Sequence, residues 1–310
     1  MPPVVIIAGP TASGKSALAL AAALRFDGEI INADSMQIYR ELSVLTARPS
    51  ISDEALVPHH LYGVLSASEA CSAGRWLELA LEKIKDVQAR GKLPIICGGT
   101  GLYVKVLCEG IANVPDVPAE VLEQSEALYM ELAGDAFVKR LADLDPVSAA
   151  KLVPSDRQRL IRAYSVVVAT GRSLPEWHKD QSKKPPIDAK FFILQLMPDR
   201  ARLYEKIERR FDAMLDGGGL DEVIALVEMQ LDPSLPAMKA LGVPELKLHI
   251  EGELEANAAI EQAKKTTRNL AKRQLTWFRN QGAPNLVLNR FGEDGIELGL
   301  QAIAEFLGQS

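Results

Sequence analysis

The first apolar positions form an unbroken run. PVVIIAG (3–9) shows no alternation and ends on glycine, the pattern of a strand buried on both faces. A helix is predicted from Lys15 onward, through ALALAAALRF. GEIINADS (28–35) predicts a second short strand ending on polar residues, with a polar loop from there to about Pro58. Over 73–90, AGRWLELALEKIKDVQAR spaces Trp76, Leu77, Leu81 and Ile84 as an amphipathic helix. KLPIICGGTG (92–101) predicts a third buried strand that breaks on glycines. Strand, helix, strand, helix, strand implies a parallel α/β sheet with helices on its faces.

The pattern changes at VPDVPAEV (114–121), where prolines punctuate the chain. From there to about 180 the periodicity is helical, with turns expected at Gly134, Asp145-Pro146 and Gly171; KKPP (183–186) reads as a second boundary. FFILQLMP (191–198) is strand-like again, and long helices are expected at about 200–216 and 256–280. Residues 114–187 are thus expected to be a helical insertion into an α/β core formed by 1–113 and 188–310.

Composition adds bounds. Of 310 residues, 47% are apolar and 25% charged, the mix of a soluble globular protein large enough to bury a sizeable core. VVIIAG is too short to cross a membrane, and no charged leader precedes it, so a cytoplasmic protein without membrane contact is expected. Cys71, Cys97 and Cys108 carry no CxxC or metal pattern and read as reduced thiols. The net charge of −6 excludes a uniformly basic nucleic-acid binder but leaves room for a local basic patch. Nothing in the pattern calls for more than a monomer.

Candidate chemistry starts at GPTASGKS (9–16), which has the spacing Gly-x-x-x-x-Gly-Lys-Ser between a predicted strand and a predicted helix. That context makes it a phosphate site: backbone N–H groups close around the anion, Lys15 adds a point charge, and Ser16 can ligate magnesium. ATP or GTP is the default ligand. Against it, the third strand ends in Gly98-Gly99-Thr100-Gly101 where a nucleotide triphosphatase usually places an aspartate. Asp34 and Thr100 fall at the carboxyl ends of their strands, on the rim where α/β sheets bind ligands. In the 200–216 helix, Leu203, Ile207, Phe211 and Met214 make an apolar face; Arg210 borders it while Arg209 points away. An arginine drawn inward needs a phosphate or a carboxylate partner.

KKTTRNLAKRQLTWFRN (264–280) carries Lys264, Lys265, Arg268, Lys272, Arg273 and Arg279 and no acid. Lys265, Arg268, Lys272 and Arg279 share one stripe, a cationic ridge suited to a phosphate backbone. SDRQRLIRA (155–163) is a second basic segment and a candidate RNA contact. His59-His60 lacks a third ligand for a metal and reads as structural or as a helper at the rim.

Taken together, GPTASGKS (9–16), NADSMQIYR (32–40), TARP (46–49), VPHHL (57–61), GGTGLY (98–103), SDRQRLIRA (155–163) and TRNLAKRQLTWFR (267–279) resemble the tRNA dimethylallyltransferases, or isopentenyltransferases. The chain departs from that pattern in YGVLSASEA after VPHHL, in MKALGVPE, and in TARP for the commoner TAKP. The resemblance implies a P-loop NTPase-like parallel sheet core flanked by helices, with the helical insertion contacting the tRNA anticodon stem-loop. It implies transfer of a dimethylallyl group from its diphosphate to N6 of the adenosine on the 3′ side of the anticodon. Asp34 would act as general base or orienting acceptor, and Thr100 would hold the bridging oxygen. Gly9, Pro10, Thr11, Ala12, Ser13, Gly14, Lys15, Ser16 (through magnesium) and Arg210 would bind the diphosphate. Near the tRNA it would place Asp34, Ser35, Met36 and Gln37, then Gln158, Arg159, Leu160, Ile161 and Arg162. Lys265, Arg268, Lys272, Arg273, Gln274, Trp277 and Arg279 complete the expected tRNA set. The competing reading is a small-molecule kinase using ATP on the same loop, and a third is a non-catalytic RNA-binding module.

Overall fold

The computed structural model describes residues 1–132, 134–179 and 184–309; Lys183 of the KKPP stretch lies outside the described residues. Six parallel strands form one sheet: β1 (Pro3–Ala8), β2 (Gly28–Asn32), β3 (His59–His60), β4 (Leu93–Gly98), β5 (Lys190–Leu196) and β6 (Leu286–Leu288). Their spatial order is β3-β2-β4-β1-β5-β6. β1 therefore lies centrally, with Val5 opposite Ile95 of β4 and Phe192 of β5.

Strand alternation sorts the core into two layers. Val4, Ile6, Ile31 and Ile96 face one side, against the helices Ala73–Ala89 and Gly101–Glu109. Val5, Ile7, Ile30, Ile95 and Leu194 face the other, against Lys15–Arg25 and Ile296–Leu307. Both faces are covered, which is why the β1 run from Val4 to Ala8 has no solvent exposure and no alternation. Among the described residues no helix is long and apolar enough to cross a membrane.

Two compact units result, Met1–Cys108 with Pro185–Ser310, and Glu109–Lys184. The second is helical, built from Ala119–Leu132, Gly134–Ala142, Pro146–Ala149, Arg157–Thr170 and Leu174–Lys179. Its own core contains Phe137, Leu141, Leu160, Ile161 and Tyr164.

The loop expected to reach Pro58 contains a short helix, Ile51–Leu56, started by a reciprocal Ser50–Asp53 capping box. It leads into β3, whose two histidines pair with Ile30 and Ile31. Glu29 of β2 fastens this edge. Its buried carboxylate lies 2.6 Å from His60 Nε2 and 2.6 Å from Arg90 Nη2. Burial pushes the Glu29 carboxyl up, but the hydrogen bonds from Arg90 and His60 outweigh it and hold the group below its ordinary value.

The sign of that shift sets a pH dependence. A depressed carboxyl contributes stability above its unfolded-state pKa and loses it as pH falls through the folded-state value. Glu29→Gln is expected to cost about 1–3 kcal/mol at neutral pH. Urea melts should show the gap between variant and parent closing as pH falls below the ordinary glutamate range.

Candidate active site

The phosphate loop leaves β1 at Gly9 and turns into the Lys15–Arg25 helix at Gly14, which sits at φ 83°. Only glycine takes that conformation without strain, and a Cβ there would strike the Glu293 carboxylate. From the far end of the chain, Gly292 N–H donates to Ser13 C=O at 2.8 Å. Lys15, Ser16, Arg48, Lys206 and Arg210 line a cavity of about 380 Å³ over the loop. Burial lowers the pKa of the Lys15 ammonium; Asp34 and Cys97 pull it up, and Arg210 pushes it down again. Burial likewise lowers Arg210, with Asp34 opposing. Two desolvated cations facing one cavity favour an anionic ligand.

Arg210 does turn inward, and the Arg210 guanidinium donates to Thr11 Oγ1, while Arg209 is exposed. Its helix, Arg200–Met214, buries Leu203, Ile207, Phe211 and Met214, the apolar face that the sequence predicts.

Asp34 follows β2 through a local turn. Asn32 Oδ1 accepts from Asp34 N–H at 2.8 Å, and Asn32 Nδ2 donates to the carbonyls of Asp34 and Leu61, each at 3.0 Å. Asp34 Oδ1 accepts from Met36 N–H at 3.0 Å. Thr100, just past β4, accepts from Ser35 N–H at 2.9 Å and donates from Oγ1 to Ser35 Oγ at 3.3 Å. The Asp34–Thr100 rim is therefore one hydrogen-bonded unit. A second, smaller cavity of about 70 Å³ brings Asp34 and Met36 together with Thr11, Arg210 and the apolar Leu45 and Phe211. Gln37 does not line it; Gln37 Nε2 donates to the carbonyls of Thr46 (2.8 Å) and Ala47 (2.9 Å).

The basic helix is Ala256–Gln281, and it divides the residues expected at tRNA. Lys265, Lys272, Arg273 and Arg279 are exposed, and Lys272, Arg273 and Trp277 border a shallow groove. Arg268 departs from the expected stripe: it is ion-paired with Glu208 of the Arg200–Met214 helix. Lys264 pairs with Asp212 of the same helix at 2.7 Å. Gln274 faces the loop: Oε1 accepts from Thr11 N–H at 2.8 Å and Nε2 donates to Gly99 C=O at 2.9 Å. Trp277 lies half-buried over Gly101, where a Cβ would strike its ring.

In the helical unit, Gln158, Arg159 and Arg162 are exposed. Leu160 and Ile161 correct the expectation: both are buried in that unit's core, 0% and 6% exposed, and offer no surface to RNA. The 3.6-residue spacing of Leu160, Ile161, Tyr164 and Val167 is the signal that separates them from their basic neighbours. His60 bonds to Glu29, whereas His59 bonds to Val57 C=O and also lines the cavity over the phosphate loop.

The donor set suits magnesium held mainly by a ligand. Ser16 supplies one hydroxyl, and among the described residues no three His, Cys, Asp or Glu side chains gather as a metal cage. Magnesium commonly takes its other ligands from substrate phosphates and water.

Sequence and structure comparisons agree on the kin of this chain. Residues 37–281 match the model of the IPP transferase family, and residues 2–62 match that of isopentenyl transferase. A tRNA dimethylallyltransferase of Rhodospirillum rubrum is 50% identical over 287 residues, covering 93% of this chain and 88% of the relative. One from Rhodopseudomonas palustris is 52% identical over 285 residues, covering 90% and 87%. The solved tRNA isopentenylpyrophosphate transferase of Staphylococcus epidermidis superposes with a TM-score of 0.71 at 33% identity, over 100% of this chain and 99% of that one. A eukaryotic dimethylallyltransferase solved acting on tRNA gives 0.83 at 26% identity, over 99% and 80%.

Cys97 lies in β4, beneath the loop, and burial pushes its thiol up to about 11 against the opposing pull of Lys15. At pH 8 that leaves a thiolate fraction of about 10⁻³. Peptide mapping after a brief iodoacetamide pulse should recover Cys97 unmodified in the native protein and alkylated after denaturation.

Proposed function

The chain belongs to the IPP transferase family, and we propose from that footing that it transfers a dimethylallyl group from dimethylallyl diphosphate to the N6 amine of an adenosine in tRNA, releasing diphosphate. One observation carries the assignment to residues: Asp34 shares a cavity with Thr11 of the phosphate loop and with Arg210. A base and an anion-binding group thus meet where a donor and an amine would react. A kinase would use the same carboxylate for a hydroxyl proton, so the family match, not this cavity, is what favours transfer over phosphorylation.

The residues suit the chemistry. The adenine amine is a weak nucleophile because its lone pair is delocalised into the ring. As the N6–C1 bond forms, an N6 proton passes to Asp34. The C1–O bond breaks and its electron pair leaves with the diphosphate, where Lys15, Arg210 and the N–H groups at the start of the Lys15–Arg25 helix stabilise it. Thr100 Oγ1 accepts from Ser35 N–H and donates at 3.3 Å to Ser35 Oγ; turning that long second bond toward the ligand would let the hydroxyl donate to the bridging oxygen. Ser16 would hold magnesium, which when bound supplies further positive charge to the leaving group.

The adenosine on the 3′ side of the anticodon is the proposed target, extruded from the anticodon loop to reach the carboxylate. Lys265, Lys272, Arg273 and Arg279 on the Ala256–Gln281 helix, and Gln158, Arg159 and Arg162 on the helical unit, are the proposed contacts to the anticodon stem-loop. A cytoplasmic monomer, working where tRNA is found, belongs to the same proposal.

Labelled dimethylallyl diphosphate and unmodified tRNA test the function directly. Label on that adenosine is expected; no transfer, together with ATP-dependent phosphorylation of a metabolite, would overturn it. Asp34→Ala should lower turnover by roughly 10²-fold or more while leaving tRNA affinity intact. Replacing Lys272 and Arg273 with alanine should reduce the slope of log affinity against log salt by about 2, whereas Arg268→Ala should leave it unchanged.

A further inference from the structure

We propose that Glu222 is a positioning residue for the transfer reaction, holding the 43–49 loop as the wall that keeps water from the reacting carbon. This rests on the transferase reading above. Glu222 belongs to the Leu220–Glu228 helix and is half-buried. Its carboxylate accepts three consecutive backbone N–H groups: Ser43 at 2.5 Å and Val44 at 2.9 Å on Oε1, and Leu45 at 2.9 Å on Oε2. Ser43 Oγ adds a fourth contact at 3.1 Å.

That loop walls both cavities. Leu45 and Thr46 line the one that holds Asp34, and Ala47, Arg48 and Pro49 line the one over the phosphate loop. It is also anchored by Gln37, through Thr46 and Ala47, by Thr46 Oγ1 donating to Leu42 C=O at 2.6 Å, and by Arg48 donating to Arg40 C=O at 3.3 Å. The helix that carries Glu222 restarts after a kink at Leu215–Gly219, where Gly218 takes a left-handed φ of 94°. Gly219 lets Leu45 seat there, since a Cβ would lie 2.8 Å from Met214 C=O and 3.0 Å from Leu45 Cδ2.

The consequence is chemical. As the C1–O bond breaks, C1 becomes electrophilic toward any nearby nucleophile. If N6 supplies the electrons, the product is modified tRNA and the N6 proton goes to Asp34. If water supplies them, the products are dimethylallyl alcohol and diphosphate, and the water proton goes to solvent. A loop held by carboxylate-to-amide hydrogen bonds favours the first course; a loose one admits the second.

Glu222→Ala and Glu222→Gln test the idea in the full-length protein, with folding checked by circular dichroism. Glu222→Gln keeps one acceptor oxygen. Glu222→Ala is expected to raise the ratio of alcohol to transferred product by about tenfold or more, the scale of losing charge-assisted hydrogen bonds. It should also raise KM for the donor and leave tRNA affinity within about twofold. Glu222→Gln should fall between, and it decides the matter if the alanine variant does not fold. A folded variant with unchanged ratio and unchanged donor KM overturns the proposal, as does lost transfer at an unchanged ratio. Should the parent protein bind inorganic diphosphate yet transfer nothing, the transferase reading falls. Diphosphate affinity then judges the wall: a loss of about threefold or more in Glu222→Ala supports it, and equal affinity overturns it.

Discussion

One side-chain amide joins three parts of the chain that have no local reason to meet. Gln274 accepts from Thr11 in the phosphate loop and donates to Gly99 after β4. A phosphate loop alone can bind an anion, but it does not say where that anion lies relative to a base. Gln274 fixes this separation, because Gly99 is followed by Thr100, and Thr100 is bonded to the turn that carries Asp34. The same residue also sets the roll of its helix. With Gln274 facing the loop, Lys272 and Arg273 are left on the outer side.

Charge follows from this frame. Lys15 and Arg210 are both desolvated beside the cavity over the phosphate loop, so each is held below its ordinary pKa, and Arg210 lowers Lys15 a little further. Asp34 is the group that pulls both back up. The site thus carries excess positive potential on its loop side and a carboxylate on its rim. In the proposed reaction a diphosphate would relieve the first, and an amine approaching from the other side would meet the second. Leaving group and nucleophile are separated by polarity before either arrives.

Much of this is legible from residues alone. β1, β2, β4 and β5 announce themselves because strands buried on both faces are runs of apolar residues. Arg210 is legible because helical periodicity distinguishes it from Arg209. β3 and β6 are not, since two and three residues carry no period and exist only because a neighbouring strand pairs with them. Arg268 misleads for a related reason. Its own helix segment holds no acid, and its partner Glu208 lies 60 residues earlier. Leu160 and Ile161 sit within a basic motif, yet their side chains follow the helix's apolar face. Glu222 leaves no mark at all, because what it binds is backbone 177 to 179 positions away.

The partners of the phosphate loop also impose an order in time. Thr11 meets Arg210 and Gln274, separations of 199 and 263 residues, and Ser13 is met by Gly292. During synthesis the loop leaves the ribosome well ahead of all three. At about 5–20 residues per second, it waits tens of seconds before Gln274 emerges. β1 has to wait as well, since it is sandwiched between β4 and β5. Nascent chains of this protein therefore carry their most apolar strand and their anion loop unfinished through most of translation. The phosphate site is among the last features to be completed, although its signature is among the first to be made.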